Sequence, residues 1–169
     1  MKNFSVTLLI AFISLFALNG FAQEEMDTTT LEPFDVLDIS GEITHGDASL
    51  DGVLVELFEG NKVVDAFETK KNGKFKFTLM SEEIYTIQLT KKGYYTKRIS
   101  VNTKVPSEIE DTYKFDFDIN VDAKEDKEYD GYLVEYPSAL IAYDKKKDEF
   151  IFDKTYTKSY FEEIEASKD

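Results

Sequence analysis

Between Ile39 and Val101 the chain is made of short apolar runs that alternate with polar residues at a period of two, and each run stops at a Gly, Asn or Asp. That period belongs to strands, because successive Cβ atoms leave a pleated backbone on opposite faces. Runs this short, closed by turn residues, point to an all-β fold, a small antiparallel β-sandwich. Phe75, Phe77 and Leu79 share one face, with Lys74, Lys76 and Thr78 on the other. Tyr85, Ile87 and Leu89 repeat the pattern after the Ser81-Glu82-Glu83 turn. Val53, Val55 and Leu57 do the same, and the intervening Leu54, Glu56 and Phe58 suit a strand covered on both sides. Asn72-Gly73 is the strongest hairpin signal, since both residues tolerate positive φ. Adding Val36–Ile43, Val63–Phe67, Tyr94–Val101 and Tyr113–Val121 gives seven strands over residues 36–121. One stretch breaks phase. Lys97 shares a face with Tyr95, Ile99 and Val101, which calls for a bulge or for a lysine that snorkels at the sheet edge.

No cysteine is present, so packing alone must hold such a fold, and 14 Phe with 10 Tyr supply the apolar area. Thiol, redox-disulfide and iron–sulfur chemistry are excluded with it. The net charge of −14 is unevenly spread. Residues 23–60 carry 11 acids and no Lys or Arg, residues 61–104 carry ten bases against four acids, and residues 105–169 carry 19 acids against nine bases. Internal charge matching and a soluble surface account for this first. So acidic a chain is a poor partner for nucleic acid.

The N-terminus reads as a secretory signal: Lys2, an apolar run from Val6 to Leu18, and then Gly20-Phe21-Ala22 with small residues where a signal peptidase inspects them. Cleavage is expected between Ala22 and Gln23. The 13-residue apolar run is too short for a hydrocarbon core of about 30 Å. The expected product is therefore exported to the periplasm, the outer-membrane periphery or the medium, and does not span a membrane. The expected organisation is a signal peptide over 1–22, a flexible acidic leader over 23–35, the sandwich over 36–121 and a C-terminal extension over 122–169. Within the extension, Asp122–Asp130 is a charged loop, and Tyr132–Tyr136 and Ala139–Tyr143 are strand-like segments separated by Pro137. Lys145–Glu149 then turns into Phe150–Phe152. Thr155–Ala166 reads as a short amphipathic helix with Tyr156, Tyr160, Phe161 and Ile164 on one side. Ser159 and Glu162 form a capping box if that helix starts late.

Gly41-x-Ile43, Gly52-Val-Leu-Val-x-Leu57, Asn72-Gly-Lys-Phe-x-Phe77, Tyr85-x-Ile87 and Lys92-Gly-Tyr94 resemble the carboxypeptidase regulatory-like domain. The resemblance covers about residues 36–103. It implies a seven-stranded, transthyretin-like (Ig-like) β-sandwich of the kind common in exported Bacteroidota proteins, used as a non-catalytic accessory module. The stretch from Pro137 through Ile141, Tyr143, Phe150, Asp153 and Tyr156 is similar to an extension on small envelope proteins of that phylum. These markers are turn glycines and core residues, so they bear on fold more than on chemistry.

Candidate chemistry is sparse. His45, in Thr44-His-Gly-Asp47, has a nearby carboxylate but neither a nucleophile motif nor a second histidine for a zinc site, so it reads as a loop histidine. Asp116, Asp118, Asn120 and Asp122 have the alternate spacing of a calcium loop. An EF-hand register fails at Ala123 and Tyr129, and the alternation with Phe115, Phe117, Ile119 and Val121 already makes these acids a solvent face. Tyr94, Tyr95, Lys97 and Arg98 are the candidate partner-binding residues, able to stack on a sugar or to meet an acidic partner. The expected function is that of an exported non-catalytic binding or structural module of the cell envelope, acting by protein–protein interaction and without a cofactor. A carbohydrate- or calcium-binding accessory module is the alternative. The register leads to one test: Phe77→Asp is expected to abolish the cooperative melting transition followed by circular dichroism, because it buries an unpaired carboxylate. A soluble variant that melts like the parent would overturn the assignment.

Overall fold

A computed structural model describes residues 32–126, 128–129 and 135–166. The expected signal segment, its expected cleavage pair Ala22 and Gln23, the expected leader as far as residue 31, and residues 132–134 of the expected Tyr132–Tyr136 strand lie outside these. Glu135 and Tyr136, the end of that segment, are not in a strand. The elements are β1 (Asp35–His45), β2 (Ala48–Ser49), β3 (Leu54–Glu59), β4 (Lys62–Glu68), β5 (Lys74–Met80), β6 (Ile84–Thr90), β7 (Lys97–Asn102), β8 (Tyr113–Asp116), β9 (Ile119–Asn120), β10 (Ala139–Asp144), β11 (Glu149–Phe152) and α1 (Lys154–Ala166). All seven expected strand positions carry strands. The described residues nevertheless hold eleven, because Tyr113–Val121 splits in two, β2 closes a hairpin on β1, and β10 and β11 come from the extension.

Two sheets face one another. In the first, β1 is central: Ile39 pairs antiparallel with Phe77 of β5 on one edge and parallel with Phe115 of β8 on the other. β9 continues beside β1, also parallel. The second sheet runs β11-β10-β7-β6-β3-β4, with β10 parallel to β7 and the remaining pairs antiparallel. Both sheets are therefore mixed, which corrects the purely antiparallel expectation. The residues that alternate inward form the core, including Ile39, Val55, Phe77, Leu79, Ile87, Leu89, Ile99 and Val101, each at most 3% exposed. Burying each such side chain contributes about 1.5–3 kcal/mol.

Asn72-Gly73 does turn, with Gly73 at φ 61°, but it does not join a hairpin. β4 lies at the edge of the six-stranded sheet and β5 pairs with β1 in the other. The chain leaves β4 at Thr69, whose amide and carbonyl bond Val53 and Gly52 and whose hydroxyl donates to the Leu50 carbonyl at 2.8 Å and accepts from the Val53 amide at 3.0 Å. Residues 69–73 thus carry the strand across to the opposite layer. The same device recurs. The buried polar residues Thr69, Ser81, Thr103 and Ser138 each place a hydroxyl on backbone groups at a point where a ladder ends.

Lys97 resolves without a bulge: β6 and β7 pair in unbroken register, Leu89 opposite Lys97, and the lysine ammonium donates to the Asn120 carbonyl. The side chain snorkels, with its stem along the open side of the sandwich and its charge on a backbone acceptor. The helix begins earlier than the capping box requires. Asp153 is its cap, with Oδ1 accepting from the Tyr156 amide at 2.9 Å, so Ser159 and Glu162 lie in its interior.

Between β8 and β9 the parallel ladder is interrupted, and the Phe117 carbonyl passes directly over Gly41. A Cβ added at Gly41 would lie 1.7 Å from that oxygen. Gly41→Ala is therefore expected to force β1 and Phe117 apart and to cost about 1–3 kcal/mol, read as a fall of several degrees in melting temperature. An unchanged melting temperature would show that the contact can relax.

Candidate functional site

The four residues expected to meet a partner do not form one patch. Tyr94 sets its ring edge-on against His45, centroids 5.3 Å apart, and bridges to Ala123. Tyr95 packs against Tyr129 at 4.9 Å, its hydroxyl accepting from the Tyr129 amide, with the Lys124 ammonium over its ring at 5.7 Å. Lys97 turns toward β9. Arg98 leaves the opposite face of the same strand, donating from Nε to Gln88 at 2.7 Å and from its guanidinium to the Glu135 carbonyl at 3.0 Å.

His45 lies between two acceptors, with Nδ1 2.9 Å from the Val121 carbonyl and Nε2 3.2 Å from Asp126. It pins the segment after β9 to the β1–β2 hairpin. The alternating acids have a comparable task. Asp116 accepts from the Ser40 hydroxyl at 3.0 Å, Asp118 from the Glu42 amide at 3.1 Å, and Asn120 from the Gly46 amide at 2.9 Å. Three members of the spacing that reads like a calcium loop thus bond β1 and its hairpin turn, satisfying one hydroxyl and two amides beside the broken parallel ladder. Among the described residues no three His, Asp or Glu side chains gather as a metal-binding group.

Tyr113 of β8 and Tyr143 of β10 both donate to Oδ1 of Asp148, which caps the β10–β11 turn with φ 55°. The hydrogen bonds to Asp148 raise both phenols above their ordinary value, and the two phenols hold the carboxyl below its own. Beside them the rings of Tyr113, Phe115 and Phe117 from the first sheet interleave with Tyr143, Phe150 and Phe152 from the second. This aromatic seam closes one side of the sandwich and bonds the extension to it.

Two further surfaces bear on binding. Under α1 a cavity of about 350 Å3 opens between the sheets, walled by Ile99, Phe117, Ala139 and Phe152 and lidded by Thr157, Phe161 and Ile164. Burial beside it pushes the Tyr160 phenol up to about 12. The other surface is the outer face of the six-stranded sheet. Strand register aligns Val63, Phe58, Thr86, Ser100 and Leu140 in one row, and Ile84, Asn102, Ala142 and Ile151 in the next. Neither row contains a charged residue, in a chain that is 32% charged. Val63 is 43% and Ile84 52% exposed. A polar chain borders the rows, Arg98 to Gln88 to Glu56. The first sheet presents the opposite character, with Lys76 on Asp38 at 3.1 Å and Asp116 of β8 and the following Asp118 bonded to β1. The uncharged strip was missed in the sequence because its residues come from six strands, and only their register puts them side by side.

No family model matches this chain, and no curated protein does. Among solved structures it is similar to 3-chlorocatechol 1,2-dioxygenase from Rhodococcus opacus 1CP, at 11% identity and a TM-score of 0.37, over 53% of this chain and 60% of that one. A likeness at that level carries no argument about chemistry.

The tyrosine pair gives a pH test. Because the folded state raises the phenol values, the stability tied to them is complete below the ordinary tyrosine range near 10 and is lost as pH climbs past it. For Asp148, held low, the stability is present above the ordinary carboxyl range and is lost as pH falls through it. Ultraviolet titration is expected to show phenols ionising late, and Asp148→Asn, which keeps a residue that tolerates positive φ, is expected to bring Tyr143 and Tyr113 back toward ordinary values. Identical titration curves for parent and variant would refute the pairing.

Proposed function

We propose that this chain is an exported, non-catalytic binding module of the carboxypeptidase regulatory-like kind, acting by protein–protein contact in the cell envelope, and that its docking surface is the uncharged outer face of the six-stranded sheet. The observation that carries this reading is the pair of charge-free rows with Val63 and Ile84 exposed on them. Six strands spaced about 4.8 Å apart and two rows of side chains give an uncharged strip of about 300 Å2, apolar toward its ends and crossed in the middle by Thr86, Ser100 and Asn102. The Glu56, Gln88 and Arg98 chain supplies a polar border along one side of the strip. The solvent face of a sheet that has only water to meet ordinarily alternates to polar residues, as the outer face of the first sheet does.

A binding rather than catalytic role is supported by the use of the ionisable groups. His45 lies between a carbonyl and a carboxylate, Asp148 is tied to two phenols, and Asp116 and Asp118 are bonded to β1. Each is occupied in positioning a segment.

The test is an affinity capture of the tagged protein from its own envelope fraction, at low and high salt, beside a Val63→Glu, Ile84→Glu double variant. Both positions are exposed, so the variant is expected to melt like the parent. A partner is expected that survives high salt, since charge screening leaves an apolar contact intact, and that is lost with the variant. Capture unaffected by the two glutamates, or absent under every condition, would overturn the reading.

A further inference from the structure

The recess beneath α1 is separate from the sheet face and does not depend on the docking reading. We propose that it is a binding site for a small uncharged aromatic compound. Its volume is about 350 Å3, at the lower end of small-ligand sites, roughly 300–1,000 Å3. An apolar cavity of about 150 Å3 is enough to take up benzene, so this one has room for two fused rings. Close packing ordinarily removes a recess of such a size. Phe117 and Phe152 come from different sheets and meet edge-on with centroids 5.3 Å apart, forming the back wall. Ile99 and Ala139 line it from the second sheet, and Phe161 and Ile164 from the helix. Ile164 is 6% exposed, whereas Phe161 is 47% exposed at the lip. The helix is fastened at its other end. Asp153 caps it, the Asp153 amide donates to the Leu140 carbonyl at 2.8 Å, and the Tyr156 hydroxyl donates to the Pro137 carbonyl at 2.6 Å. These bonds hold the first turn against β10 and the residues before it, so that the later turns stand over the recess.

The class of ligand follows from the polar groups around the recess, which are already engaged with one another or with the backbone. The Lys97 ammonium donates to the Asn120 carbonyl, and the Asn120 side chain accepts from the Gly46 amide. Asp118 accepts from the Glu42 amide. The Ser138 hydroxyl donates to the Arg98 carbonyl at 3.2 Å, and the Thr157 hydroxyl to the Asp153 carbonyl at 2.8 Å. Neither Asp122 nor Glu165 is without a partner. A charged ligand of either sign gives up hydration on entry and meets no ammonium or carboxylate that still lacks a partner. An uncharged ring carries no such cost. It gains apolar burial against the wall and edge-to-face contact with Phe117, Phe152 and Phe161.

Isothermal titration calorimetry on the full chain, with three ligands of one shape, tests this. 2-Naphthylmethanol is expected to bind saturably. It should bind at least tenfold more tightly than 2-naphthylmethylammonium or 2-naphthoate, which carry the same rings with opposite charges. Ala139→Leu, which fills the cavity floor, is expected to abolish binding. Phe161→Ala, at an exposed position, provides a second reading if Ala139→Leu fails to fold, and is expected to weaken binding several-fold. The Val63→Glu, Ile84→Glu variant is expected to bind the alcohol like the parent, because both positions lie on the outer face. Either ion binding as tightly as the alcohol, or no heat with any of the three at their solubility limits, would overturn the proposal. So would an affinity unchanged by both cavity variants, or one lost with the two outer-face glutamates.

Discussion

The two-sided pairing of β1 is the constraint on which the rest of the structure depends. Ile39 is hydrogen-bonded through Phe77 on one edge and Phe115 on the other, so β1 is a central strand. Its inward residues Val36, Leu37, Ile39 and Ile43 are completely buried. The parallel partner is the less usual half of this arrangement. It requires the chain to leave the second sheet after β7 and cross to the first through residues 103–112 before β8 begins, since parallel neighbours cannot be joined by a tight turn. Gly41 permits the crossing to close, because the Phe117 carbonyl occupies the space of a side chain. Asp118 and Asn120 then satisfy the β1 and Gly46 amides that the broken ladder leaves.

With β1 fixed, the extension has one place to go. β10 lies parallel along β7, Ile141 opposite Val101, and β11 follows as the edge. The aromatic rings of both layers interleave there, each edge-to-face pair contributing about 0.5–1.5 kcal/mol beyond area burial. Asp148 ties the β10–β11 turn to β8 through the Tyr113 phenol and to β10 through that of Tyr143. A chain without cysteine thus closes one side of its sandwich with Phe and Tyr. The outer faces consequently diverge, one carrying ion pairs and acids on β1 and the other an uncharged strip. That asymmetry makes one face a candidate for recognition.

Much of the core was legible from the sequence, because period-two alternation says which side chains turn inward whatever the partner strand. Phe75, Phe77 and Leu79 are buried as expected, as are Tyr85, Ile87 and Leu89. Strand direction and sheet membership were not legible. The alternation of Tyr113–Val121 is the same for a parallel and an antiparallel neighbour, and Asn72-Gly73 signals a turn without saying whether the chain returns to the same sheet. Thr69 decided that, through four backbone groups distant in sequence. The candidate sites were less legible still. Lys97 and Arg98 are adjacent in sequence, yet consecutive strand residues point to opposite faces, whereas Tyr95 and Lys97 line one recess with Tyr129 and Tyr160.

What the sequence by itself determined is local: where strands begin and stop, which face of each is apolar, that no disulfide supports them, and that the helix has one apolar side. Those properties follow from backbone periodicity and turn chemistry, which act within a few residues. The tertiary structure alone decided which strands lie side by side, that Lys97 reaches a carbonyl instead of requiring a bulge, and that Asp116, Asp118 and Asn120 serve β1. It also decided that an uncharged strip and a cavity exist at all. Both are built from residues far apart along the chain, and only register between strands and the position of α1 across the two layers bring them together.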